Sequence, residues 1–236
     1  MHAFQRPHVP SERAIEKGYR FVELPFDVEL APICAELRRV QLPWQPSQWK
    51  WHRGTWFCVL RAGPRGVGPA SELVTGVGHD APILAELPSL KELLDHCFPE
   101  PVPLAWLGLS PAGGVIRAHV DNLHHWDEHH RVHVPLSTNP AALLCVDGHC
   151  LHLAPGRAWA LNNSVVHGAR NGGRNRVHLI VDLPPTPAVQ AWLASGRHHD
   201  GAPDPEALRH IEADPLADLS PRELANPELL KVMAQQ

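Results

Sequence analysis

The chain has 236 residues, 44% apolar and 19% charged, enough for one sizeable core and ordinary for a globular protein. Its net charge is −4, with no basic run long enough to mark a nucleic-acid surface and no apolar stretch near the ~20 residues of a membrane span. The first twenty residues lack the apolar centre of a secretory signal. The five cysteines (Cys34, Cys58, Cys97, Cys145 and Cys150) are odd in number and scattered, so reduced thiols and a cytoplasmic location are expected.

In chain order, a polar start leads to a strand from Tyr19 to Leu24. PFDVELAPICAELRRV then places Leu30, Ile33, Leu37 and Val40 at helical spacing, with Asp27 as the expected cap. Trp44, Trp49, Trp51 and Trp56 follow in a loop, where they either pack the outer layer of the core or line the mouth of a site. WFCVLR reads as a strand and the Gly/Pro-rich segment after it as a loop. Ser89 and Glu92 form a capping box that opens the helix SLKELLDHCF, and Val102 to Ser110 is a further strand. The 25 prolines, spaced between short strands, suit an all-β core better than a helical bundle.

The stretch from Gly114 to Leu183 carries the chemistry. Residues i and i+2 of a strand share a face, so His119 and Asp121 present an imidazole and a carboxylate to one point. A second imidazole from His167 would complete a two-histidine, one-carboxylate face that leaves metal positions open, the pattern suited to non-haem Fe(II). A 2-oxoacid chelated there needs a partner for its far carboxylate. Arg176, at the head of the alternating strand RVHLIVDL, offers the planar, permanently charged fork for it. Between these pieces, Asn122 to His130 (NLHHWDEHH) reads as a polar loop, either solvated or a lid in which Trp126 packs on substrate. In CVDGHCLHL, Asp147 and Gly148 signal a two-residue hairpin turn. Cys145 and Cys150 then lie opposite each other as hairpin residues, and a zinc site is not expected because the spacing matches no closed zinc motif. Asn163, with its neighbours Asn162 and Ser164, can satisfy a bend near the metal and also reach a substrate.

The ordered pieces IRAHVD, RVHVPL, CVDGHCLHLAPGRAWALNNSVVH and RVHLIVD resemble the aspartyl/asparaginyl β-hydroxylase family of Fe(II)/2-oxoglutarate oxygenases, over about 70 residues. The resemblance implies iron ligation by His119, Asp121 and His167 and cosubstrate anchoring by Arg176, with Arg131 and His133 lining the cosubstrate and substrate pocket. Some relatives have glycine where Asp121 stands; this chain keeps the carboxylate, as the proline cis-hydroxylase branch does. A serine that holds 2-oxoglutarate in other members falls at Gly108, so that contact is either absent or supplied otherwise, with Ser110 as a candidate. The implied activity consumes O2 and 2-oxoglutarate and hydroxylates an unactivated C–H of an Asp, Asn or Pro residue in a peptide, or of the free amino acid, giving succinate and CO2.

The expected fold is a mainly-β double-stranded β-helix, a cupin-like jelly-roll, with flanking helices: residues 1–184 form the oxygenase domain and 185–236 a helical extension packed on it. That tail has three short helical patterns, including a capping box at Ser220 and a start at Asn226, and could cover the site or form a homodimer contact. Two other readings stay open on these residues alone. One is a cupin-like metal-binding or sensing module without turnover; the other is a hydrolytic or isomerising enzyme using Zn or Mn, which leaves Arg176 without a role.

Overall fold

The computed structural model describes residues 17–47, 49–63, 78–121 and 124–212. The glycine-rich loop between residues 64 and 77 and the helices expected at Ser220 and Asn226 lie outside these.

Nine strands form the large sheet. They are β1 (Phe21–Asp27), β2 (Gln45–Pro46), β3 (Trp56–Ala62), β4 (His79–Asp80), β5 (Leu104–Ser110), β7 (His130–Ser137), β10 (Arg157–Leu161), β12 (Arg176–Leu183) and β13 (Arg197–His199). Their order is β13-β1-β10-β7-β12-β5-β3-β2, with β4 on β3. The small sheet is β6-β11-β8-β9, built from β6 (Val115–His119), β8 (Ala142–Val146), β9 (His149–Leu151) and β11 (His167–Asn171). Strands pair antiparallel throughout both sheets. This is the two-sheet jelly-roll that the sequence predicts.

Strand periodicity explains the layering. On β12, Leu179, Val181 and Leu183 are fully buried in the main core together with Leu84, Leu90 and Leu94, which come from the helical layer on the outer face. Alternate residues Arg176, His178, Ile180 and Asp182 therefore face the other way, toward the small sheet. The same alternation sends Val132 and Val134 of β7 outward and Arg131 and His133 inward. Phe21, Leu144, Val146, Trp159 and Leu161 fill the space between the sheets.

The outer layer is α1 (Leu30–Arg39), α2 (Pro88–His96) and α3 (Pro187–Ala194). Two expected caps are corrected. Asp27 lies in β1, where Arg157 Nη1 donates to its carboxylate, and the N-cap of α1 is Glu29, with no side-chain bond. Helix α2 begins one residue before Ser89, and Glu36 of α1 supplies the acceptor for the Ser89 N–H at 2.8 Å. A buried carboxylate from the neighbouring helix thus meets a first-turn N–H that the local capping box was expected to satisfy. Helix α3 follows the rule: Thr186 Oγ1 accepts from Val189 N, and proline stands at the first position.

The short helix α4 (Pro205–Glu212) packs its Ala207 and Ile211 onto the small sheet beside Cys145 and Cys150. Those two cysteines are joined by a disulfide, which corrects the expectation that all five thiols are reduced; Cys34, Cys58 and Cys97 are free. The hairpin turn is the cause. Asp147 and Gly148 both take positive φ, 48° and 75°, and this places Cys145 and Cys150 directly opposite on β8 and β9. No described helix is long and apolar enough to cross a membrane.

Candidate active site

His119 ends β6 and His167 begins β11, and the two are direct cross-strand partners. Opposed residues of an antiparallel pair put their side chains side by side, and the ring centroids lie 4.3 Å apart. A register shift after His167 marks a bulge in this pairing, a device that re-aims side chains. Gly168 sits there because the backbones are tight: a Cβ would come within 2.8 Å of the Ile116 carbonyl. Asp121 follows two residues after His119, with its N–H donated to the Asn163 carbonyl at 3.1 Å. Asp121 Oδ1 lies 3.6 Å from His119 Nε2, and Asp121 Oδ2 3.8 Å from His167 Nε2. Among the described residues this is the one group of three or more metal-ligating side chains, its ligand atoms all within 4.8 Å of one another.

The second contacts prepare these groups for a metal. His119 Nδ1 lies 2.7 Å from the Arg117 carbonyl and His167 Nδ1 3.0 Å from that of Val165. A carbonyl only accepts, so each Nδ1 carries the hydrogen and each Nε2 keeps its lone pair for a cation. Burial lowers the pKa of His119 and brings that of His167 down to about 4, so both imidazoles are neutral at pH 7. Burial works against ionisation of Asp121 too. The surrounding His167, His119 and Arg131, with the Asn163 hydrogen bond, outweigh it and hold the carboxyl below its usual range. Two neutral nitrogens and one anionic oxygen are the donor set of a non-haem iron site with open positions.

The triad lines a cleft between the sheets, of about 750 Å³ including its mouth, and Arg176, Arg131 and His133 of the large sheet line it as well. Arg176 is 6% exposed, and its Nε and Nη1 are buried without a hydrogen-bond partner. Burial brings its pKa down to about 10, which still leaves it a cation at neutral pH. A buried guanidinium with unmet donors is costly, and a carboxylate in the cleft would satisfy it. His133 and His178 stand nearby with their rings 5.7 Å apart, each with an unpartnered Nδ1. Burial, and then the two arginines, bring His133 to about 3 and keep it neutral. Ser110 lies opposite Arg176 in register and is buried.

Arg131 is built into a second unit. Its Nε and Nη2 donate to the two oxygens of Asp182, both at 2.9 Å, and its guanidinium lies 4.5 Å from the Trp106 ring and 4.2 Å from the Trp126 ring. His125 Nε2 donates to Asp182 Oδ2 at 2.8 Å, and His129 stacks on His125. His125, Trp126, His129 and His130 are all at most 7% exposed. The solvated reading of this loop is therefore corrected for its described side chains: His125, His129 and His130 are buried, His125 is held by a carboxylate 57 residues away, and Trp126 covers Arg131. Asn163 is likewise committed, its Nδ2 donating to Asp121 Oδ2 at 2.8 Å and its Oδ1 accepting from Lys17 Nζ, so its amide supports the metal carboxylate.

Asp182 is fully buried, and Arg131 and His125 pull its carboxyl well below the usual carboxylate range. Breaking a buried pair leaves one charge uncompensated, so Asp182→Asn is expected to cost about 3–5 kcal/mol in urea unfolding at pH 7. A depressed folded-state value gives stability that is present above the unfolded pKa of about 4 and lost as pH falls through the folded one. The wild type should therefore lose stability below about pH 4 more steeply than Asp182→Asn. Parallel acid slopes would remove Asp182 from the account.

Sequence reasoning missed His52. It closes a 3-10 turn (Lys50–His52), and its Nε2 lies 3.3 Å from His119 Nε2 while Trp51 stacks on the His119 ring at 6.2 Å. Nothing in its spacing to the triad marks it; the tryptophan-rich loop was the only signal. Of those tryptophans, Trp44 packs on the main core and Trp56, 41% exposed, lines the cleft.

The fold and the triad define the class, a non-haem iron dioxygenase of the hydroxylase type, and the donor set implies iron and 2-oxoglutarate as its cofactors. Residues 74–185 match the model of the Aspartyl/Asparaginyl beta-hydroxylase family. No curated protein sequence matches the chain. Among solved structures, an oxidoreductase of the 2OG-Fe(II) oxygenase family from Burkholderia pseudomallei is similar at a TM-score of 0.47 and 16% identity, over 74% of this chain and 81% of its own. A Pseudomonas putida prolyl-4-hydroxylase gives 0.43 and 16%, over 72% and 94%. A cupin domain from Bordetella pertussis gives 0.28 and 20%, over 35% and 81%.

Proposed function

We propose that the chain hydroxylates an unactivated C–H of an amino-acid-type substrate, an Asp, Asn or Pro residue in a peptide or the free amino acid, and converts 2-oxoglutarate and O2 to succinate and CO2. The observation that carries this reading is Arg176, a buried guanidinium with unmet donors that lines the same cleft as the triad. The family match supports the substrate class.

In this reading His119, Asp121 and His167 hold Fe(II), and iron with 2-oxoglutarate supplies the oxidising power toward the C–H bond. The backbone carbonyls of Arg117 and Val165 keep both imidazoles turned for binding. Arg176, with its unmet donors, would hold the distal carboxylate of 2-oxoglutarate and so fix the cosubstrate relative to the triad. His133, neutral and with a free ring nitrogen, stands in the cleft to hydrogen-bond either bound molecule. Phe57, Leu109 and Ile180 give the cleft apolar walls that exclude water.

Anaerobic titration of the metal-free protein with Fe(II) and then 2-oxoglutarate tests this directly. The expected result is the weak visible charge-transfer band of a chelated 2-oxoacid. Iron-loaded, folded protein that gives no band at saturating 2-oxoglutarate would sink the oxygenase reading and favour a metal-binding module.

A further inference from the structure

We propose that Lys17, from the segment before β1, is a positioning residue for the metal carboxylate and acts through Asn163. The inference rests on the metal reading of the triad. Asn163 is 1% exposed and grips Asp121 twice: its carbonyl accepts the Asp121 N–H at 3.1 Å, and its Nδ2 donates to Asp121 Oδ2 at 2.8 Å. The second grip works in one orientation of the amide only. Turned over, the amide would set its own oxygen against a carboxylate oxygen, and two acceptors repel. What holds the orientation is on the far side of the amide, where Lys17 Nζ donates to Asn163 Oδ1.

An amine nitrogen with its hydrogens binds oxygen and not an amide NH2, so Lys17 selects the orientation that turns Nδ2 toward Asp121. The lysine is itself well placed for this. It is 8% exposed, and its segment is tied to the same bend: Asn162 Nδ2 donates to the Lys17 carbonyl at 3.0 Å, and Asn162 N–H to the Arg20 carbonyl at 3.0 Å. With Oδ2 held by the amide, Asp121 keeps Oδ1, the oxygen 3.6 Å from His119 Nε2, for one-point ligation. Lys17 thus serves a centre whose three candidate ligands lie between residues 119 and 167, and it lies outside residues 74–185 that match the family. Its role is support of a ligand from behind, the kind of contact whose loss costs roughly 10- to 100-fold in metal affinity.

The test is calorimetric titration of the full chain with Co(II) under nitrogen, beside the melting temperature of the metal-free form. Lys17→Met should weaken Co(II) binding by about 10-fold or more. In an Asn163→Leu background the same change should alter affinity by less than about twofold, because the lysine then has nothing to orient. Lys17→Arg keeps a head that only donates, and should hold affinity within about threefold of wild type with the same Co(II) absorption spectrum.

Wild-type affinity in Lys17→Met, or effects of the two substitutions that add in full, would overturn the proposal, since a merely structural lysine lowers the melting temperature without this coupling. Should Lys17→Met not fold, a tenfold loss in folded Lys17→Arg overturns it equally. A wild-type chain that binds no Co(II) fails at the metal reading itself and takes the proposal with it, a result distinct from tight binding that ignores Lys17.

Discussion

Replacing Arg176 by methionine is expected to have two opposite effects. The 2-oxoglutarate needed to half-saturate the iron-loaded protein should rise by about 100-fold or more, because a buried, doubly hydrogen-bonded charge pair is worth roughly 3 kcal/mol. The protein without cosubstrate should become more stable. Nε and Nη1 of Arg176 are buried and have no partner, so the wild type carries an uncompensated guanidinium that an apolar side chain of similar length removes. A melting temperature that rises while cosubstrate affinity falls is the signature of a residue kept for binding at the expense of stability. A fall in both would mean that Arg176 has a structural partner and that the anchor lies elsewhere.

The second large effect is at His167. It supplies one of three ligand atoms that lie within 4.8 Å, so His167→Ala leaves a two-donor site. Co(II) or Fe(II) affinity should fall by more than about 100-fold, beyond the range seen for supporting contacts, and 2-oxoglutarate turnover should be lost. Stability of the metal-free protein should change by only about 1 kcal/mol, since one hydrogen bond to the Val165 carbonyl is given up. Titration calorimetry read beside urea unfolding separates the two. Retained metal affinity would show that the metal, if one binds, is held elsewhere.

The parts of the site that the sequence displays are those set by strand period. His119 with Asp121, and Arg176 with His178 and Asp182, share faces because alternate residues do, and the Asp147–Gly148 turn sets a register that can be read from two residues. Contacts that depend on which distant strands meet carry no such mark. Asp182 looks like the end of a strand until the fold brings Arg131 and His125 to it. The histidines after Asp121 look solvated because polarity alone does not reveal a partner carboxylate. His52 and Lys17 reach the metal face from the N-terminal third, and neither has a spacing relation to the triad. The disulfide was hidden in another way. Composition argues for free thiols, whereas the geometry of one hairpin brings two of them together.

The two histidines of the triad belong to the small sheet and Arg176 to the large one. In the proposed reading, a dicarboxylate held at one end by the metal and at the other by the guanidinium would be a strut across the sandwich, and prying the sheets apart would mean breaking it. Ligand and fold are then thermodynamically one system. At 100 times its dissociation constant the dicarboxylate adds about 2.7 kcal/mol to the free energy of unfolding. It does so fully only with the metal in place, since either end alone ties a single sheet. Scanning calorimetry with metal, with 2-oxoglutarate and with both should show a shift for the pair that exceeds the sum of the two, which would let cosubstrate analogues be ranked by heat alone before any substrate is known.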